Sequence, residues 1–183
     1  YNYQESIDLT AIEIGFAIVG GLGFATPEYT ISCYDVKYES ENSEGNLDTL
    51  SGLVVIPNSA TQAFPLLSYQ RGTGILDEEA PSNSGLSLSN LEVFLVGYLA
   101  TTSGFITLIP DYVGLGNPNL YHPYHIKDSY IRAVVHMIRA VKQLSKLLPI
   151  ENSFQNNDQL FLAGYSEGGY ATLAAQSGIE SNY

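Results

Sequence analysis

The chain has 183 residues, 45% of them hydrophobic, with fourteen Tyr and no Trp. That is enough to bury a core, and it is not the composition of a disordered acidic tail. Seven basic residues against nineteen acidic ones give a formal net charge of −12. This disfavours nucleic acid, phosphate-rich surfaces and anionic membranes as partners and favours a neutral or cationic small molecule. No apolar stretch reaches the roughly 18 uninterrupted residues of a transmembrane segment; the nearest, Ile14 to Phe24, is broken by glycines.

In chain order, Thr10 and Glu13 form a capping-box pattern ahead of Ile14 and Phe16, which predicts a helix from there to about Gly20 and a helical extension over residues 1–30. Gly20, Gly21 and Gly23 follow no strand and complete no G-x-G-x-x-G, so no cofactor site is expected there. Ile31 to Ser40 alternates as a half-buried strand, with Ser32, Tyr34, Val36 and Tyr38 on one face. Glu41 to Asn46 is turn chemistry, and Thr49 to Ile56 returns as the second strand of an antiparallel hairpin, stopped by Pro57. Cys33 is the single cysteine; a buried strand residue is the plain reading, and pairing with a cysteine elsewhere in the protein stays open.

Beyond residue 60 the pattern changes to apolar strands alternating with helices: Pro65 to Tyr69, Leu86 to Ala100, Phe105 to Ile109, Asp128 to Leu148 and Gln159 to Ala163. Such alternation predicts an α/β fold, the hairpin leading into a mostly parallel sheet with helices on both faces. The clearest helix is Asp128 to Leu148, with Ile131, Val134, Val135, Ile138, Val141 and Leu144 on one side. Nothing divides the chain, so residues 1–183 read as a single incomplete domain whose core runs from 31 to 183. Tyr1 is not an initiator methionine, so a processed or trimmed start is expected.

Gly164-Tyr165-Ser166-Glu167-Gly168 spells G-x-S-x-G between an apolar strand and an Ala-rich helical pattern. That is the setting of a nucleophile elbow, in which a strained turn lifts the serine hydroxyl above the sheet of an α/β-hydrolase fold. Ser166 is therefore the candidate nucleophile, and the Glu167 backbone N–H the first oxyanion donor. A second donor is expected from the Gly-rich loop after the third strand, Gln70-Arg71-Gly72-Thr73-Gly74, at Thr73 or a neighbour. Arg71, Gly72, Gly74, Tyr112 and Tyr165 are expected on the substrate side. Asp111 either lines the site there or holds its loop by accepting hydrogen bonds, the second being favoured beside glycines. His122 and His125 lack a carboxylate or cysteine at ligand spacing, so the pair predicts an aromatic loop framing the pocket, not a metal site. His136 falls inside the long helix and reads as packed or exposed. No histidine follows Ser166, whereas this fold normally orders its triad Ser, Asp or Glu, His; the acid and base of the triad are not expected within these residues.

Four motifs in register, Gln70-Arg71-Gly72-Thr73, Pro110-Asp111-Tyr112 with Gly114 and Gly116, His122-Pro123-Tyr124, and Gly164 to Gly169, resemble those of the secretory lipase (lipase A-like) family of α/β-hydrolases, especially its bacterial extracellular members. The resemblance runs from about Thr30 to the end. It implies a serine carboxylic-ester hydrolase, secreted or at the cell surface, that acts on lipid or small acyl esters through an acyl-enzyme. It also implies a C-terminal portion beyond these residues that supplies lid, acid and histidine. Relatives commonly carry His where Arg71 stands, which sets a guanidinium near the developing charge. A peptidase or acyltransferase on the same scaffold, or a non-catalytic binding module or inactive fragment, are the alternatives.

Overall fold

A computed structural model describes residues 2–4, 28–41, 46–59, 61–116, 121–147 and 154–182. The helix predicted from Thr10 to about Gly20 lies outside them. The elements are β1 (Asn2–Gln4), β2 (Ile31–Glu41), β3 (Leu47–Pro57), β4 (Ala63–Gln70), a short helix α1 (Pro81–Ser84), α2 (Leu91–Thr102), β5 (Ile106–Pro110), α3 (Lys127–Leu147), β6 (Gln155–Gly164) and α4 (Glu167–Asn182). They build one six-stranded sheet in the order β1-β2-β3-β5-β4-β6. The hairpin β2–β3 and the junction β3–β5 are antiparallel, and β5, β4 and β6 run parallel. Asn2–Gln4 pairs with β2 as an edge strand, so the helical extension expected over residues 1–30 does not hold for these three, whose backbone groups join the sheet.

Helices cover both faces, because each strand sends alternate side chains to opposite sides. On one face Tyr34, Val36 and Tyr38 of β2, with Leu66 and Leu108, pack against Val134, Met137, Ile138 and Val141 of α3. On the other, Cys33, Leu53, Val55 and Ile109 meet Val93 of α2. β5 is buried along its whole length, as a strand covered on both faces must be. The free Cys33 thiol is buried, and desolvation pushes its pKa up to about 12.

One predicted element is shorter than expected. α2 begins at Leu91, not Leu86, because the Asn90 side chain accepts the Val93 N–H and caps the helix there. Residues 86–90 form a turn between α2 and the short α1, which opens on Pro81.

The parallel register sets the site. Gln70 at the end of β4 pairs with Gly164 at the end of β6. Both strands point the same way, so the loops that follow them leave the sheet side by side. β5 ends at Pro110 on the same edge and delivers Asp111 there.

Candidate active site

Ser166 stands between β6 and α4 with a backbone φ of 54°, a left-handed conformation that costs a non-glycine residue about 1 kcal/mol or more. Its side chain is exposed. What forces the turn is the closeness of its neighbours. A Cβ on Gly168 would overlap the Gln70 carbonyl, and one on Gly164 would overlap the Gly168 carbonyl. Only glycine lets the start of α4 rest on the end of β4. The Tyr165 N–H then donates to Gln70 O at 3.2 Å, while the Gly168 and Gly169 N–H groups close the turn on Tyr165 O and Ser166 O. Beneath it the buried Gln70 amide spans Ser68 and Thr172, at 2.7 and 2.8 Å.

The loop after β4 lies against this turn, since a Cβ on Gly72 would stand 3.7 Å from Ser166 Cβ. Its Gly72 N–H is already engaged, donating to Glu92 Oε1 at 2.8 Å; the same oxygen accepts from Tyr69 Oη at 2.8 Å. Glu92, on α2, therefore pins the loop, and Thr73 is left exposed at its tip. The sequence offers no signal for Glu92 beyond an acidic residue in a helix's first turn.

Arg71 turns inward and is only 4% exposed. Its guanidinium lies beneath Gly74, with Nη1 3.4 Å from Gly72 O and no hydrogen-bond partner for Nε or Nη2 among the described residues. The expectation of a guanidinium facing the pocket misjudges this direction. Tyr112 is buried too, at φ 70°, and donates its hydroxyl to Arg71 O at 3.0 Å. Tyr165 is exposed.

Asp111 has no exposed surface and accepts from the Ser82 N–H at 2.9 Å and from the Ser82 and Ser51 hydroxyls at 2.5 Å. It ties β3, α1 and β5 together, the placement of the loop-holding alternative. Burial raises its pKa in spite of those bonds and of the nearby Arg71 charge.

Glu167 supplies more than backbone. Its side chain is 3% exposed, and Oε1 accepts from Tyr130 Oη at 2.5 Å and from His122 Nε2 at 2.7 Å. Burial raises its pKa, but the His122 and Tyr130 bonds and the His122 charge lower it more, and the Thr73 side chain adds to them, so the carboxyl ends below its ordinary value. Oε2 accepts no bond of good geometry. His122 Nδ1 meets Val113 O at 2.9 Å. Both ring nitrogens of His122 are thus engaged, one by a main-chain carbonyl and one by the Glu167 carboxyl. His125 is stacked on Tyr124 and meets Tyr170 at a tilt, with ring centroids 3.9 and 4.7 Å away. His136 pairs with Ser40 at 2.8 Å, but that serine is 2% exposed and out of a substrate's reach.

A groove of about 380 Å³ runs between the Thr73 loop and the His122 segment, lined by Thr73, Ile75, Asp77, Leu115, His122 and Tyr124 among others. A larger one, about 450 Å³, lies between β2 and α3 and includes no residue of the elbow.

A family model described as secretory lipase matches residues 79–183, more than half of the chain. The chain belongs to the secretory lipase family. The match begins after the Arg71 loop, which rests on the fold comparison. A Legionella pneumophila protein classed with the hydrolases superposes with a TM-score of 0.83 at 28% identity, over 100% of this chain and 48% of its own. The rice cell wall degrading esterase LipA of Xanthomonas oryzae gives 0.78 at 24%, over 99% and 45%. Candida antarctica lipase A in its closed state gives 0.60 at 24%, over 82% and 34%. At their identities the last two show the fold. The chain thus spans about half the length of the first structures it matches. No curated protein matches it. No helix among the described residues is long and apolar enough to cross a membrane.

Proposed function

We propose that the protein is a secreted serine carboxylic-ester hydrolase acting on lipid or small acyl esters, and that these residues are its nucleophile and oxyanion portion. The observation that carries the reading is the exposed Ser166, held at φ 54° between β6 and the first turn of α4. The first N–H groups of a helix have no intrahelical acceptor, so the Glu167 N–H is available to a developing oxyanion beside the hydroxyl. Thr73 offers the second donor, because Glu92 occupies its neighbour Gly72.

Ser166 Oγ attacks the ester carbonyl carbon and its proton passes to a histidine base; the tetrahedral oxyanion collapses, and the alcohol departs with that proton. Water then cleaves the acyl-serine to release the carboxylic acid and restore the hydroxyl. His122 does not suit the base, since its two nitrogens are committed to Val113 O and Glu167. We assign the base and its acid to the rest of the protein, in keeping with a chain about half as long as its structural matches. One substituent of the ester occupies the groove beside Thr73, lined by Ile75, Leu115 and Tyr124 together with Asp77 and His122; the net charge of −12 favours a neutral or cationic group there.

Fluorophosphonate labelling of the full-length protein, with peptide mapping, tests the assignment. Ser166 is expected to carry the label, and Ser166→Ala to abolish ester hydrolysis. Labelling at another serine, or normal turnover by the variant, rejects it; a peptidase or acyltransferase would label at Ser166 but prefer amides or transfer to alcohols.

A further inference from the structure

Glu167 faces two ways. Its N–H is at the mouth of the proposed oxyanion site, and its carboxylate is buried, hydrogen-bonded to side chains of two other segments. Tyr130 comes from α3 and His122 from the stretch after β5; both donate to the same oxygen, Oε1. The two donors are themselves fixed. His122 Nδ1 is bound to Val113 O, and Tyr130 Oη also accepts the His125 N–H at 3.1 Å. The network is therefore rigid on its far side, and its near side is the main chain that bears the N–H.

Oxyanion donors work only when aimed within about 2.7–3.1 Å of where the negative charge will sit, and misplacement by about 1 Å can cost on the order of 100-fold. The first turn of α4 is seated on β4 through Gly168, a contact on one side of the turn. Within the turn, the peptide that bears the Glu167 N–H is held on its carbonyl side by the Gly169 N–H, which donates to Ser166 O at 3.0 Å. The buried carboxylate adds a second hold, because its hydrogen bonds to His122 and Tyr130 fix the side chain of the same residue.

Resting on the reading above, we infer that the Glu167 side chain is a positioning residue: anchored by His122 and Tyr130, it aims its own backbone N–H at the oxyanion. The fourth letter of G-x-S-x-G thus supplies donor and brace together.

The test uses full-length protein with active sites counted by fluorophosphonate titration, so that unfolded molecules do not enter kcat. In Glu167→Leu, kcat for a short activated ester is expected to fall about 30- to 100-fold with KM within about twofold, and the rate of phosphonylation of Ser166 to fall in parallel. Glu167→Gln keeps an oxygen that accepts both bonds and is expected to restore kcat to within about fivefold of the parent. A brace of the loop alone would lower thermal stability and leave kcat per active site untouched. The inference is overturned if folded Glu167→Leu keeps kcat within about threefold, or if Gln is as damaging as Leu. Should the Leu variant not fold, Tyr130→Phe removes one of the two bonds; a kcat loss of about fivefold at unchanged KM supports the inference, and a loss below about twofold overturns it. Parent protein that takes no label at Ser166 sinks the underlying reading, whereas normal labelling with unaltered variant kinetics sinks the positioning role alone.

Discussion

Two carboxylates are buried within the loops around Ser166, and their surroundings push them in opposite directions. Asp111 is met by neutral groups, the two serine hydroxyls and one N–H, and burial wins: its pKa is raised. Glu167 is buried as well, but it is met by His122 and Tyr130, and its pKa is lowered. Arg71 lowers Asp111 only from a distance, without a hydrogen bond between them. The difference teaches that serine hydroxyls satisfy the geometry of a buried carboxylate without offsetting its lost hydration, whereas the bond and the charge of His122, 2.7 Å from Glu167 Oε1, together with the Tyr130 hydroxyl, outweigh it. Asp111 serves as a bracket between strands and helix, and Glu167 as the acceptor shared by His122 and Tyr130 beside Ser166.

The comparison can be broken at its root by Gly168→Val. The new side chain would meet main-chain atoms of Gln70 and Arg71, so α4 must leave β4 and take Glu167 with it. We expect a loss above about 4 kcal/mol or no soluble protein, read by thermal unfolding. A soluble variant that melts with the parent rejects the close seat. Next in size is Glu167→Ala, which leaves the buried Tyr130 hydroxyl and the half-buried His122 ring without their acceptor; about 2–4 kcal/mol of unfolding free energy should be lost in urea titrations.

Acid sharpens the contrast through its sign. Glu167 has a folded pKa below its ordinary 4.5, so its stabilisation is full above that value and is lost as pH falls through the folded one. Asp111 has a folded pKa above its ordinary 3.8; its contribution is unfavourable above the folded value and is relieved as pH falls through it. Urea midpoints measured downward from neutral pH should therefore decline less steeply below 4.5 in Glu167→Gln than in the parent. An identical slope would mean that the pair with His122 carries no charge. The smallest effect is expected from Asp111→Asn, within about 1 kcal/mol, because it removes a charge that burial opposes while leaving an oxygen for the Ser82 N–H. A loss above about 3 kcal/mol would reverse the contrast between the two acids.

Much of this was legible in the sequence wherever the signal is local. Alternation in Ile31 to Ser40 and the periodicity from Ile131 to Leu144 locate β2 and α3 to within a residue or two, since the buried faces repeat at 2.0 and 3.6 residues. The spacing Gly164, Ser166, Gly168 likewise encodes a turn whose tightness the backbone alone determines. Side-chain destinations are another matter. Glu167 finds partners 45 and 37 residues away, and Glu92 binds a loop 20 residues away, on elements whose mutual placement no period reports. Arg71 could face either way out of its loop, and only the space beneath Gly74 decides it.

The Cys33 thiol, sealed between the sheet and α2 with its pKa pushed up to about 12, is closed to maleimides and iodoacetamide at neutral pH. A cysteine introduced at Gly169, where a Cβ meets nothing within 4 Å, would then be the sole reactive thiol of these residues. A fluorophore attached there rides on the first turn of α4, three residues past Ser166, and its emission would report what approaches the elbow with the native cysteine left in place.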